Sequence, residues 1–294
     1  MTSKADKHGN PGLAALSEEV ARLAGAAFPA TVAVHAGHAG LSGFVWQKGL
    51  IVTAEEPLPE VQTAEVRFHD GTSAAAKVLG RDASTDVVLL AVESDAAPAA
   101  FSDAPPRAGS LTVAAGSGGV AGLGLVARVA GPWRSMRGGE IDARIELDLR
   151  MKPDLEGSLA LAPDGSGAWG MIVSGPRRSA LVIPHATVAR VAGVLRAHGR
   201  VARGYLGLGL QPVEVQGEDR RGAIVVSVDT DGPAAKAGLR QGDVVVALGD
   251  TPVTSTRQLL RALGPGSVGQ RLEMDIRRAG QVHRLEVTIA ERPE

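Results

Sequence analysis

From Thr31 onward the chain is a succession of short β-branched and aliphatic runs, each closed by Gly, Pro, Asp or Ser, and this punctuation restricts the fold more than any other feature. Apolar runs of about four to eight residues between turn signals are too short for helices and read as strands. The runs fall at Thr31–His35, Ser42–Trp46, Leu50–Thr53, Ala64–Phe68, Ala74–Gly80 and Val87–Val92. A Pro-containing stretch follows over 97–106, and then six more at Leu111–Ala115, Gly122–Val129, Ile141–Leu149, Ser158–Leu161, Trp169–Val173 and Ala180–Ile183. Six runs, a linker and six runs predict two barrels in tandem. The 38 glycines and 17 prolines among 294 residues supply the turns such a pattern needs.

Two helices flank this region. Asn10 and Pro11 form a helix start, followed at helical spacing by Leu13, Leu16, Val20 and Leu23, a stripe expected to pack on the body of the protein. Pro184 opens a second helix with Val188, Val191 and Leu195 on one side and Gly199 as its stop. Beyond Arg203 the pattern restarts with a Gly-alternating strand, turn residues Pro233, Gly238 and Gly242, a helix over 255–263, and strands at Gln270–Arg277 and Val282–Ile289. The expected division is an arm over 1–27, a β domain over 28–199 and a smaller domain over 203–294.

Composition excludes several functions. Thirty-one basic against 32 acidic residues leave a net charge of −1, so no global field attracts nucleic acid or anionic lipid. Four Phe, three Trp and one Tyr are too few for base-stacking platforms, and the absence of Cys removes disulfides and sulfur-based metal sites. The Arg177-Arg178 pair after Gly175-Pro176 reads as a solvated loop rather than a nucleic-acid patch. No run of about 18 apolar residues and no secretory apolar core is visible, so the expectation is a cytoplasmic protein without a transmembrane segment.

Four segments in order resemble landmarks of the HtrA/Deg family: Gly49-Leu-Ile-Val-Thr53, Gly80-Arg-Asp-Ala-Ser-Thr-Asp86, Arg203-Gly-Tyr-Leu-Gly-Leu208 and Gly232-Pro-Ala-Ala-Lys-Ala-Gly-Leu-Arg-Gln-Gly-Asp243. The resemblance implies a mainly β fold: a trypsin-like double β-barrel of six strands each, followed by a C-terminal α+β PDZ domain. It also implies peptide hydrolysis by a serine that a histidine deprotonates and an aspartate orients, with backbone amides holding the oxyanion. Asp86 stands at the family's aspartate. Glu56, in Thr53-Ala-Glu-Glu-Pro57, stands at its histidine. In Pro153-Asp-Leu-Glu-Gly-Ser158, Glu156 falls at the nucleophile and Asp154 at a glycine of the oxyanion hole. His35, His38 and His69 lie elsewhere, on strands or beside turns.

These replacements predict a pseudoprotease that needs no cofactor. Two alternatives follow from the same residues: a weakly active endopeptidase in which a local shift brings Ser158 into use, and a divalent-cation site lined by Glu56, Asp86 and Glu156. In the PDZ-like part, Tyr205, Leu206, Gly207 and Leu208 match the loop that caps a ligand's C-terminus. Leu259, Leu260 and Leu263 supply apolar contacts from the opposing helix, two of the three being expected in the core. The implied partners are peptides or protein C-termini, an active relative and further copies of the chain, with Phe28 and the N-terminal helix as the contact region.

Overall fold

The computed structural model describes residues 11–175, 179–215 and 221–293. Asn10 and the Arg177-Arg178 pair lie outside them. The chain divides into two compact units, the first comprising the described residues up to Trp133 with Ile141–Arg200, the second Arg134–Glu140 with Val201 onward.

The first unit begins with helix α1 (Pro11–Ala27), of which Leu23 and Ala24 are buried. The expected apolar stripe is only half covered, because the C-terminal turns dock while Leu13 stays 66% exposed. Strands β1 (Thr31–Ala36), β2 (Ala39–Gln47), β3 (Leu50–Thr53), β4 (Thr63–Phe68), β5 (Ser73–Asp82) and β6 (Val87–Ala91) close into a barrel of order β1-β2-β3-β6-β5-β4. Alternate inward residues such as Val32, Val34, Ile51, Val66, Val88 and Leu90 fill it.

The second barrel uses β7 (Leu111–Ala115), β8 (Ala121–Ala130), β11 (Arg144–Asp148), β12 (Leu159–Leu161), β13 (Ala168–Ser174) and β14 (Ala180–Pro184), in the order β11-β14-β13-β12-β7-β8. Between β8 and β11, short strands β9 (Trp133–Arg134) and β10 (Glu140–Ile141) pair with each other. The single strand expected over 141–149 is therefore divided. Asp142 interrupts it: its amide donates to the Thr187 hydroxyl at 3.0 Å, and that hydroxyl donates back to its carboxylate. The linker is fastened rather than loose. The Ala99 amide donates to Val45 and the Ser102 amide to Ala168, and the Phe101 ring lies 5.7 Å from Phe44 and 5.6 Å from His185.

Helix α2 (His185–His198) buries Val188, Val191 and Leu195 and ends at Gly199, left-handed at φ 74°. Its end lies directly on β5: a Cβ on Gly80 would stand 2.1 Å from the Gly199 carbonyl oxygen.

The second unit contains β15 (Gly204–Tyr205), β16 (Leu208–Glu214), β17 (Arg221–Val228), α3 (Pro233–Lys236), β18 (Val244–Leu248), β19 (Thr251–Pro252), α4 (Thr256–Ala262), β20 (Arg271–Arg278), β21 (Gln281–Thr288) and β22 (Ala290–Glu291). The main sheet runs β16-β17-β18-β20-β21 with β19 on β18, while β15 pairs with β22. Val225, Val245, Leu259, Met274 and Ile276 lie at its core. Asp243, 1% exposed, accepts two bonds from the Arg278 guanidinium and one from the Arg240 amide, all at 2.8 Å. Burial would raise its pKa, but these donors outweigh that and hold the carboxylate below the ordinary value. Among the described residues no helix is long and apolar enough to cross a membrane.

Gly80→Ala should cost about 2 kcal/mol by chemical denaturation, because backbone rather than a movable side chain meets the added methyl. Gly193→Ala, in α2 with nothing within 4 Å of its new Cβ, should be neutral or stabilising by a few tenths of a kcal/mol.

Candidate functional site

In the first unit, the segment following β5 forms a tight turn around Asp82. Its buried carboxylate accepts from the Ser84 amide (3.0 Å), the Ser84 hydroxyl (2.6 Å) and the Thr85 hydroxyl (2.7 Å). That turn delivers Asp86 in the left-handed region, at φ 60°, a conformation Asp tolerates better than most side chains. One Asp86 oxygen then accepts the amides of Glu55 and Glu56, both at 2.7 Å. Arg81 holds the same loop by donating to the carbonyls of Leu58, at 2.9 Å, and Pro59. The exposed Glu56 side chain thus stands on a backbone anchored from two directions.

Facing it is the segment before β12. A 3₁₀ turn over Pro153–Leu155 leads to Glu156, 8% exposed. Its carboxylate accepts from the amide and the hydroxyl of Ser174, both at 2.6 Å. The turn is fixed to β2 through Ser42, whose hydroxyl donates to the Asp154 carbonyl (2.6 Å) and accepts from the Ser117 amide (2.8 Å), while its own amide donates to the Glu156 carbonyl (2.9 Å). Gly157 completes the junction at φ 82°, where a Cβ would lie 2.1 Å from the Ser42 carbonyl oxygen.

The structure brings Glu56, Asp86 and Glu156 into electrostatic contact. Burial is the largest influence on Glu156 and raises its pKa; the Ser174 bonds pull it down, and the charges of Asp86 and Glu56 push it up again, leaving it above the ordinary value of 4.5. Asp154 is exposed and engages through its carbonyl. The Glu156 amide is committed to the Pro153 carbonyl at 3.1 Å, inside the 3₁₀ turn, so it is not aimed at a point where an oxyanion could form.

Ser158 is fully buried and its hydroxyl donates to the Leu155 carbonyl at 2.6 Å. His69 is exposed and stacks on Phe28 at 5.9 Å, and His35 lies on β1 beside Gly40. Among the described residues no group of three or more His, Asp or Glu side chains is arranged to hold a metal ion, Glu56, Asp86 and Glu156 included. The reason is local: an Asp86 oxygen is turned onto two amides and both Glu156 oxygens onto Ser174. Sequence reasoning missed Ser174 and Ser42. Nothing in the sequence near either distinguishes it from other strand serines.

In the second unit, Leu206 and Leu208 pack on the core while Gly207, at φ 72°, turns the chain between them. The Leu206 carbonyl accepts from Ala234 (2.9 Å) and the Gly207 carbonyl from Asp229 (2.8 Å). A trans peptide sets N–H opposite C=O, so the Gly207 and Leu208 amides point away from those internal bonds. The Tyr205 hydroxyl donates to Asp229 at 2.8 Å and steadies the loop. On α4, Leu259 and Leu263 are core and Leu260 is 58% exposed, so two of the three are structural.

Two domain descriptions match these parts: a trypsin-like peptidase domain over residues 41–168 and a PDZ domain over 204–289. The class is thus a trypsin-fold domain joined to a PDZ domain. The chain is 30% identical over 269 residues to a probable periplasmic serine endoprotease DegP-like of Brucella suis biovar 1, covering 86% of this chain and 52% of the relative. It is 29% identical over 278 residues to a protein of the same description from Chlamydia trachomatis serovar D, covering 86% and 54%. The chain spans about half the length of the curated relatives it matches. Among solved structures, the HtrA-type protease AlgW with decapeptide superposes with a TM-score of 0.72 at 19% identity, covering 94% of this chain and 99% of that one. The serine endoprotease from Yersinia pestis gives 0.70 at 22% identity, covering 94% and 98%. The chain belongs to the HtrA/Deg family.

A raised native pKa for Glu156 means the folded state holds the proton more tightly than the unfolded chain. Its contribution is therefore fully present below about pH 4.5 and is lost as pH rises through the folded pKa. Glu156→Gln keeps an acceptor for the Ser174 amide and removes the buried charge. The variant should match the parent's melting temperature at pH 4 and exceed it at pH 7.5, in paired thermal melts.

Proposed function

We propose that this protein is a proteolytically silent HtrA-type binding protein, which captures the C-termini of peptides, partner proteins or unfolded chains through its PDZ domain. The observation that carries the reading is the seat of Glu156. A carboxylate bonded to Ser174 stands where the family resemblance calls for a nucleophilic hydroxyl, and Ser158, the nearest hydroxyl along the chain, is buried and turned onto a carbonyl. Amide hydrolysis through a serine needs a hydroxyl, a base to take its proton and donors aimed at the oxyanion. Glu56 could act as a base but has no such hydroxyl to activate, and the Glu156 amide is occupied. Loss of one triad member alone typically removes several orders of magnitude in rate.

For the second unit the supporting facts are the outward Gly207 and Leu208 amides and the position of β16 at the end of its sheet. Two amides suit a carboxylate, and a sheet end suits an extended peptide. The exposed Leu260 on α4 favours an apolar ligand side chain. Assembly with further copies or with an active relative belongs to the same proposal, since a silent protease fold acts through what it holds.

A fluorophosphonate probe should leave the full chain unlabelled, and unfolded casein should remain uncut. Labelling or cleavage that disappears in Ser158→Ala would instead establish a conditional endopeptidase. Peptides with a free, apolar C-terminal residue should bind with micromolar Kd, and amidation of the carboxylate should weaken them about tenfold or more, read by fluorescence anisotropy.

A further inference from the structure

The exposed edge of β16 carries a proline whose orientation the sheet register determines. In β17, the Val225 amide donates to the Asp243 carbonyl at 2.8 Å and the Val225 carbonyl accepts from Gly242 at 2.9 Å, so the peptide groups of Val225 face β18. Alternation along a strand then turns those of Ile224 toward β16. Ile224 is opposite Gln211, and Ala223 opposite Pro212. Gln211 accordingly faces β17, while the peptide groups of Leu208, Leu210 and Pro212 face outward. That orientation also suits Pro212 itself, which has no N–H to give to β17.

A peptide added antiparallel to this edge meets three outward residues in turn. The Leu208 amide, beside that of Gly207, meets the terminal carboxylate. Leu210, with both N–H and C=O, exchanges two bonds with the third residue from the ligand's end. Pro212 falls opposite the fifth. There the ligand's carbonyl finds no donor, and the proline ring's δ-carbon stands where the amide hydrogen would be, too bulky for a strand at the usual spacing of about 4.8 Å.

We infer that Pro212 sets the length of the ligand: the domain reads the last four residues of a free C-terminus, and the paired strand ends at the proline. This rests on the peptide-binding reading above and adds a limit to it. The implied ligand class is a short exposed tail, one that a folded protein can present without unravelling a longer segment.

The test is a length series on the full chain. N-acetylated peptides of three, four, six and eight residues, sharing one C-terminal sequence with an apolar last residue, are titrated by calorimetry. Affinity should rise to four residues and then stay within about twofold. Pro212→Val, which restores an N–H in a residue suited to strands, should bind the octapeptide about threefold or more tighter than the parent does and leave the tetrapeptide unchanged. Pro212→Ala should behave alike, and circular dichroism checks that both variants fold. Affinity that keeps climbing beyond four residues in the parent, or an octapeptide indifferent to both variants, overturns the length limit alone. Failure of every length to bind overturns the peptide-binding reading and the limit with it.

Discussion

The junction at Ser42 is the contact that holds the Glu156 turn against the first barrel. One residue of the first barrel uses its amide and its hydroxyl to hold the turn that precedes β12, and Gly157 lets that turn come within van der Waals range of the strand. The Ser42 carbonyl also accepts the Thr53 hydroxyl at 2.7 Å, which ties in the end of β3, next to the loop carrying Glu56. The segments carrying Glu56 and Glu156 are thus parts of one hydrogen-bonded framework. A carboxylate introduced there must accept the environment that the backbone provides.

Glu156 meets that condition by turning inward onto Ser174. An ionised carboxylate at a buried position is costly unless donors surround it, and two short bonds to a single serine offset much of the cost. The remainder shows in its raised pKa, to which Asp86 and Glu56 contribute. Asp86 is satisfied differently, by two amides of the opposing loop. Asp86 and Glu156 are neighbours whose carboxylates are drawn toward different backbone or hydroxyl donors rather than toward a common point.

The second unit follows the opposite logic. Its loop directs carbonyls inward and amides outward, and β16 ends its sheet with Leu210 facing out. Unpaired strand edges invite association, and proteins commonly blunt them with charge or proline. Pro212 blunts this edge partway along, so a short stretch of donors and acceptors beside the Gly207 turn is kept for use and the rest is closed.

Much of this was legible in the sequence, because its evidence is local. Strand runs such as Leu50–Thr53 and Val87–Ala91, the helix closed by Gly199, and the acids within the Thr53–Pro57 and Pro153–Ser158 segments can all be read from neighbours along the chain. The division of the strand expected at 141–149 did not, since Thr187 arrives from a helix 45 residues away. Nor did the choice among Leu259, Leu260 and Leu263, which α4 makes by the face it turns to the core. Sequence alone determined that acids stand at Glu56, Asp86 and Glu156, within the segments that the family resemblance singles out. Tertiary structure decided what those acids do, because a carboxylate's role is set by donors that only folding brings to it, here a serine 18 residues away at the end of another strand.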